Sequence, residues 1–191
     1  MGSRWVKKTT CIAILVSAVV MLNTVLSARS AENQHPPNQE VPVNFVAVSE
    51  RIHTSGQPSK VQLGQLRAKG YALIINLATP ASSGAIPEEG MLIAKTGISY
   101  LNIPVDFRKP GHEDFELFSN ILSQSGSRRV LVHCPVNKRA SVFTFLYRVI
   151  HEGVSPDLAW QNVTSIWEPD PPWIDFIRLV LMRHSIVYDP F

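Results

Sequence analysis

The residues best suited to chemistry lie in one stretch, Arg128 to Ser141, "RRVLVHCPVNKRAS". A short apolar run leads into His133 and Cys134. Pro135, Val136 and Asn137 follow, then Lys138, Arg139, Ala140 and Ser141. A cysteine attacks as the thiolate, which most free thiols do not form at neutral pH. Three features here favour that anion. A helix starting after the turn aims its positive end and free N–H groups at the sulfur. Successive amides in a tight turn make an anion-binding nest. Lys138 and Arg139 add full charge, and the planar fork of Arg139 can grip two oxygens at once. A site that holds a thiolate also suits an oxyanion such as phosphate. A lone cysteine can equally be a small buried hydrophobe. The His-Cys pair, the cations and Ser141 fall within nine residues, and that coincidence favours a reactive or anion-binding site.

The elements that position this turn are legible in the apolar pattern. "YALIINLA" and "RRVLVH" are continuous β-branched runs, the pattern of strands buried on both faces of a parallel sheet. "NFVAVS", "RIHTSG" and "SYLNIPVD" read as shorter strands. "QPSKVQLGQLRAKG" reads as a helix, with Ser59 and Gln62 as a capping box and Gly70 as its stop. "PEEGMLIAKTG" reads as a short helix with Pro87 in its first turn, and Glu88 and Glu89 answering its positive end. "EDFELFSNILSQS" repeats Phe115, Phe118 and Leu122 at helical spacing. A helix from Ala140 to Ile150 ends at Gly153. Further helices start at Ser155-Pro156, running to about Trp167, and at Asp170-Pro171, running to about His184. Alternation of strands and helices predicts an α/β fold, a mostly parallel central sheet flanked by helices. Ligands in such folds sit beyond the carboxyl ends of the strands, where Cys134 falls.

The chain has 191 residues. Residues 1–30 read as a signal peptide, with Arg4, Lys7 and Lys8 before the apolar "CIAILVSAVVMLNTVL" and small residues in "ARS". A bilayer span needs about 20 apolar residues. This run is shorter and holds Asn23 and Thr24, which favours cleavage over a retained anchor. The expected location is the periplasm or outside the cell, with no stable membrane insertion after cleavage. Residues 31–42 read as a polar, Pro-rich linker, and residues 43–191 as one domain. Of the 18 Lys and Arg, four (Arg4, Lys7, Lys8 and Arg29) lie in the leader, and all 15 Asp and Glu follow it. The mature chain therefore carries −1, which argues against a nucleic-acid partner. It keeps one cysteine, Cys134, so an intramolecular disulfide is excluded. An exported thiolate there would face oxidants and be open to sulfenic acid formation.

The pieces "TSGQPS", "YALIINLA", "YLNIPVDF", "VLVHCPVNKRAS" and "FLYRVI", in that order, resemble the cysteine-dependent protein tyrosine and dual-specificity phosphatases. They are most similar to a bacterial branch labelled beta-lactamase-hydrolase-like or phosphatase-like. The resemblance covers about Val43 to His184. It implies the tyrosine/dual-specificity phosphatase-like fold, hydrolysis of phosphate monoesters, no cofactor, and a phosphorylated small molecule or protein as substrate. It makes Cys134 the nucleophile that forms a phosphocysteine, with Asp106 as general acid in the loop after a strand. Phosphate would be held by Arg139 and by the turn Pro135, Val136, Asn137 and Lys138. Ser141, seven residues after the cysteine, would assist the thiolate as leaving group, and His133 would support the loop.

One feature departs from the family pattern. The family signature has five residues between cysteine and arginine; here there are four, and the expected arginine position holds Ala140. Either Arg139 reaches the site from one position earlier or it points elsewhere. Two other readings therefore stand: a rhodanese-like sulfurtransferase carrying a persulfide on Cys134, or an inactive anion-binding module with the phosphatase fold. His53, His112, His151 and His184 show no metal-ligand spacing with Cys134, so no metal is expected. "SGQPS" could border the site, although a turn and a helix cap explain it without function. Trp160, Trp167, Trp173 and Phe176 at helical spacing read as core.

Overall fold

The computed structural model describes residues 41–189. The leader, Cys11 and all of the linker except Val41 and Pro42 lie outside those residues. Five strands form one sheet in the order β1-β2-β5-β3-β4. They are β1 (Val46–Ala47), β2 (Ile52–Ser55), β3 (Tyr71–Asn76), β4 (Ser99–Asn102) and β5 (Arg129–His133). β2, β5, β3 and β4 run parallel, and only the edge strand β1 is antiparallel to its neighbour. The expected α/β architecture with a mostly parallel sheet is the observed one.

β5 is the middle strand, with His133 in register with Ser55 of β2 and Asn76 of β3. The side chains of a strand alternate between faces. Leu73, Ile75, Val130 and Val132 join one apolar cluster, while Ile74 and Leu131 join the other. This two-sided burial is why both strands read as continuous apolar runs. The smaller cluster is covered by α1 (Lys60–Gln65) and α2 (Glu89–Ala94). The larger is covered by α3 (His112–Gln124), α4 (Lys138–His151), α5 (Pro156–Thr164) and α6 (Pro171–Arg183).

α4 is enclosed along most of its length. Phe143 stacks on Phe176 at 5.5 Å and meets Phe118 and Phe115 edge-on at 5.5 and 6.0 Å. Truncating such a ring to alanine costs about 3–5 kcal/mol. α4 is thus fixed by packing, and its N-terminus is fixed against the end of β5.

Some boundaries differ from expectation. The Ser59–Gln62 capping box forms, but α1 stops at Gln65 and the chain turns through Gly70, at φ +84°, into β3. α5 stops at Thr164, because Trp167 leaves the helix to pack on Phe107 and Trp173.

Candidate active site

The turn after β5 is built from both neighbouring strands. The Cys134 N–H donates to the Ser55 carbonyl at 3.3 Å, and the Gln57 N–H donates to the Pro135 carbonyl at 3.1 Å. Gly56 bridges to Val136 in antiparallel fashion. A Cβ on Gly56 would lie 2.9 Å from the Pro135 carbonyl oxygen and 2.4 Å from Val43 Cγ1. Glycine lets these backbones approach. The "SGQPS" segment is therefore a wall of the cysteine turn as well as a turn and helix cap.

Asn137 ends the turn in the left-handed region, at φ +69°. Asparagine adopts this conformation more readily than most residues. It sits at the N-cap of α4 but its side chain does not cap the helix. Its amide donates instead to the Asn44 carbonyl at 2.6 Å and to Thr54 Oγ1 at 3.0 Å. The first intrahelical bond recorded into this end is Ser141 N–H to the Asn137 carbonyl, 2.9 Å. First-turn N–H groups of a helix have no partner within the helix. Those of Lys138, Arg139 and Ala140 thus belong to an uncapped, positively polarised end beside Cys134. Pro135 contributes no N–H.

Cys134 is buried, at 1% exposure. Arg139 is buried too, at 7%, and its charge interacts with both Cys134 and Asp106. Burial pulls the Arg139 guanidinium below its usual proton affinity, and the charges of Cys134 and Asp106 oppose that shift. Its two terminal nitrogens reach only Ser82 Oγ, at a long 3.4 Å each, and its Nε is buried without a hydrogen-bond partner among the described residues. The guanidinium lies 5.5 Å from the Phe107 ring centre. From its position one residue early, Arg139 thus lies within electrostatic range of both Cys134 and Asp106. The left-handed Asn137 tightens the turn and sets the helical phase.

Asp106 is exposed on the loop after β4. Its Oδ1 accepts the Arg108 N–H at 2.9 Å, which fixes the loop around it. The next residue, Phe107, packs on Trp167 and Trp173 at 5.8 and 5.5 Å. The Trp173 indole also donates to the Phe107 carbonyl at 2.9 Å. Lys138 holds its ammonium 4.8 Å over the Trp167 ring and 5.9 Å from Phe107. Ser141 donates to the Lys138 carbonyl at 2.9 Å and accepts from the Trp167 indole at 3.3 Å. In this arrangement the Ser141 hydrogen is not directed at the sulfur. Trp167, expected only as core, is a neighbour of the site.

His133 is fully buried, with Nε2 2.8 Å from Glu89 Oε1. The approach is bent away from the ring N–H direction, so this is a close polar contact without a linear hydrogen bond. Glu89 stands in the first turn of α2, where it was expected to answer the dipole, and it is also 1% exposed and faces the strand ends. Its neighbour Glu88 is the surface residue, paired with Lys60. No local pattern distinguishes the two glutamates; a buried acid is found only from the packing. Among the described residues no group of three or more His, Cys, Asp and Glu has the geometry to hold a metal, and no helix is long and apolar enough to cross a membrane.

No family model and no curated protein matches the chain. Solved structures do. A Shewanella putrefaciens CN-32 protein described as "Putative phosphatase (DUF442)" is 32% identical, with a TM-score of 0.69 over 75% of this chain and 94% of that one. Tk-PTP in its active form is 17% identical, with a TM-score of 0.63 over 73% of this chain and 97% of that one. The core catalytic domain of the PP-IP phosphatase SIW14 from S. cerevisiae, solved with citrate, is 18% identical, with a TM-score of 0.61 over 73% and 87%. The last two are similar in fold alone.

Proposed function

We propose that this chain, which belongs to the DUF442 family within the cysteine-dependent phosphatase superfamily, is an exported hydrolase of phosphate monoesters that works through a phosphocysteine. The observation that carries this reading is Arg139. Among the described residues the terminal nitrogens of this buried guanidinium make only two 3.4 Å contacts to one hydroxyl, and its charge interacts with both Cys134 and Asp106 beside an uncapped helix end. That combination suits a tetrahedral oxyanion placed between nucleophile and acid.

The Cys134 thiolate attacks phosphorus, and an S–P bond forms as the ester P–O bond breaks. Asp106 gives its proton to the leaving oxygen. Arg139 and the first-turn N–H groups of α4 hold the three non-bridging oxygens through this step. Asp106, now ionised, takes a proton from water as that water attacks phosphorus. The S–P bond breaks, phosphate leaves, and the thiolate returns. Ser141 would donate to the departing sulfur after releasing the Lys138 carbonyl. His133 supports the turn. Phe107 and the exposed Val136 offer apolar surface for the organic part of a substrate, which suits phosphotyrosine as well as smaller esters. The signal-like residues 1–30 support export to the periplasm or medium.

The test compares the purified protein with Cys134→Ser on p-nitrophenyl phosphate, with trapping of phosphoenzyme after acid quench. Loss of turnover and of label in the variant is expected. Equal rates would end the covalent mechanism. Sulfur transfer from thiosulfate to cyanide without ester hydrolysis would put a sulfurtransferase in its place.

A further inference from the structure

Next to the cysteine turn, a buried carboxylate gathers groups from three separate segments. Glu89 Oε2 accepts from Gln57 Nε2 at 3.1 Å and from Asn76 Nδ2 at 3.2 Å. Glu89 Oε1 stands 2.8 Å from His133 Nε2. Gln57 lies between β2 and α1, Asn76 ends β3, and His133 ends β5. An ionised carboxylate has only lone pairs to offer, so every group that faces it must be a donor. The 2.8 Å approach of Glu89 Oε1 keeps the His133 ring edge against the carboxylate, although the angle is bent and no hydrogen bond forms. Glu89 also fixes the Gln57 amide with its nitrogen inward.

Two of these partners lead straight to the nucleophile. His133 is bonded to Cys134. Gln57 donates its backbone N–H to the carbonyl of Pro135, on the other side of Cys134. Asn76 closes the base: its Nδ2 also reaches Tyr100 Oη at 3.1 Å, and its Oδ1 accepts the Ala78 N–H at 2.7 Å. A carboxylate kept at 1% exposure by amides and one imidazole is costly to bury for stability alone. Its neighbours give it a second use.

We propose that Glu89 is the positioning residue of the cysteine turn. It holds Cys134 from both sides, through His133 and through Gln57, so that the sulfur stays aimed at the oxyanion site. The proposal deepens the phosphatase reading and rests on it for its purpose. The geometry it describes can be tested without turnover.

The experiment measures alkylation of Cys134 by iodoacetamide, a neutral reagent that does not need the anion cradle. It compares the wild type, Glu89→Gln, His133→Asn and the double variant, each checked for folding by its thermal midpoint. p-Nitrophenyl phosphate kinetics are run in parallel. Glu89→Gln keeps the volume but turns one acceptor into a donor. It should slow alkylation about tenfold, the scale of one lost charged hydrogen bond, and lower kcat by a similar factor with KM little changed. In the His133→Asn background Glu89→Gln should slow alkylation by less than it does in the wild type, because the His133 arm is already gone and only the Gln57 arm is left to lose. A folded Glu89→Gln that alkylates at the wild-type rate overturns the proposal, as do single effects that simply multiply. Should Glu89→Gln not fold, Gln57→Leu removes one arm at a half-buried site. Slower alkylation supports the proposal and an unchanged rate overturns it. A wild type inert toward esters would end the phosphatase reading, and alkylation would still decide the role of Glu89.

Discussion

The side chain of Asn137 donates to the main-chain carbonyl of Asn44 at 2.6 Å, across 93 residues of sequence, and leaves the helix it precedes uncapped. The bond fixes a left-handed turn while keeping the helix N–H groups for an anion. Asn137→Ala should lose the two side-chain hydrogen bonds and strain the backbone at φ +69°. The expected cost is about 3–4 kcal/mol, from about 1 per hydrogen bond and 1–2 for the left-handed residue. Asn137→Gly should recover the backbone part. Urea unfolding of both variants checks the difference; equal losses would show that the conformation carries no strain.

Asp106 can be separated from its loop role by Asn, which keeps the acceptor for the Arg108 N–H. Asp106→Asn should lower kcat on phenyl phosphate, a poor leaving group, by about 10²–10⁴. p-Nitrophenyl phosphate, which leaves without help, should suffer much less. Equal losses on both esters would place the general acid elsewhere.

Ser141→Ala removes the acceptor of the buried Trp167 indole. An N–H left without a partner costs about 1–3 kcal/mol. The catalytic role predicts a second effect, slower breakdown of the phosphoenzyme relative to its formation. A quench-flow burst of p-nitrophenol followed by a slower steady state is expected. Lost stability without any burst would leave Ser141 with the structural role only.

His53 gives the fold a pH dependence remote from the chemistry. Its Nδ1 lies 2.6 Å from the Tyr71 hydroxyl. Burial raises that hydroxyl to a pKa of about 12, so it stays protonated and can donate to the ring. Burial, and then the charge of Arg129, lower the His53 pKa from 6.5. The unfolded chain therefore binds the proton first as pH falls, and stability drops below about pH 6.5. The loss grows until the folded ring also protonates. Urea midpoints at pH 7.5 and 5.5 should differ more for wild type than for His53→Asn. An identical pH slope in the two would remove His53 as the cause.

Much of this was legible in the sequence, and the reason is local. β3 and β5 are apolar on both faces because both faces are covered. The Ser59–Gln62 capping box needs only three residues of separation. Cys134 at a strand end before a helix follows from the apolar period and the turn residues. The shortened spacing to Arg139 left its direction open, since one residue on a helix is about 100° of rotation. The packing of α4 through the Phe143 cluster buries Arg139 within electrostatic range of Cys134 and Asp106, a placement that spacing alone left open.

What the chain alone determined is the menu of elements and the chemistry available at Cys134, because short-range periodicity, caps and turns write themselves into neighbouring residues. Tertiary structure alone decided which glutamate is buried, where Asn137 spends its amide, and that Trp167 meets Ser141. Those pairings join residues 13 to 93 positions apart or lie on separate elements. They depend on strand order and on how the helices stack, and no local pattern encodes either.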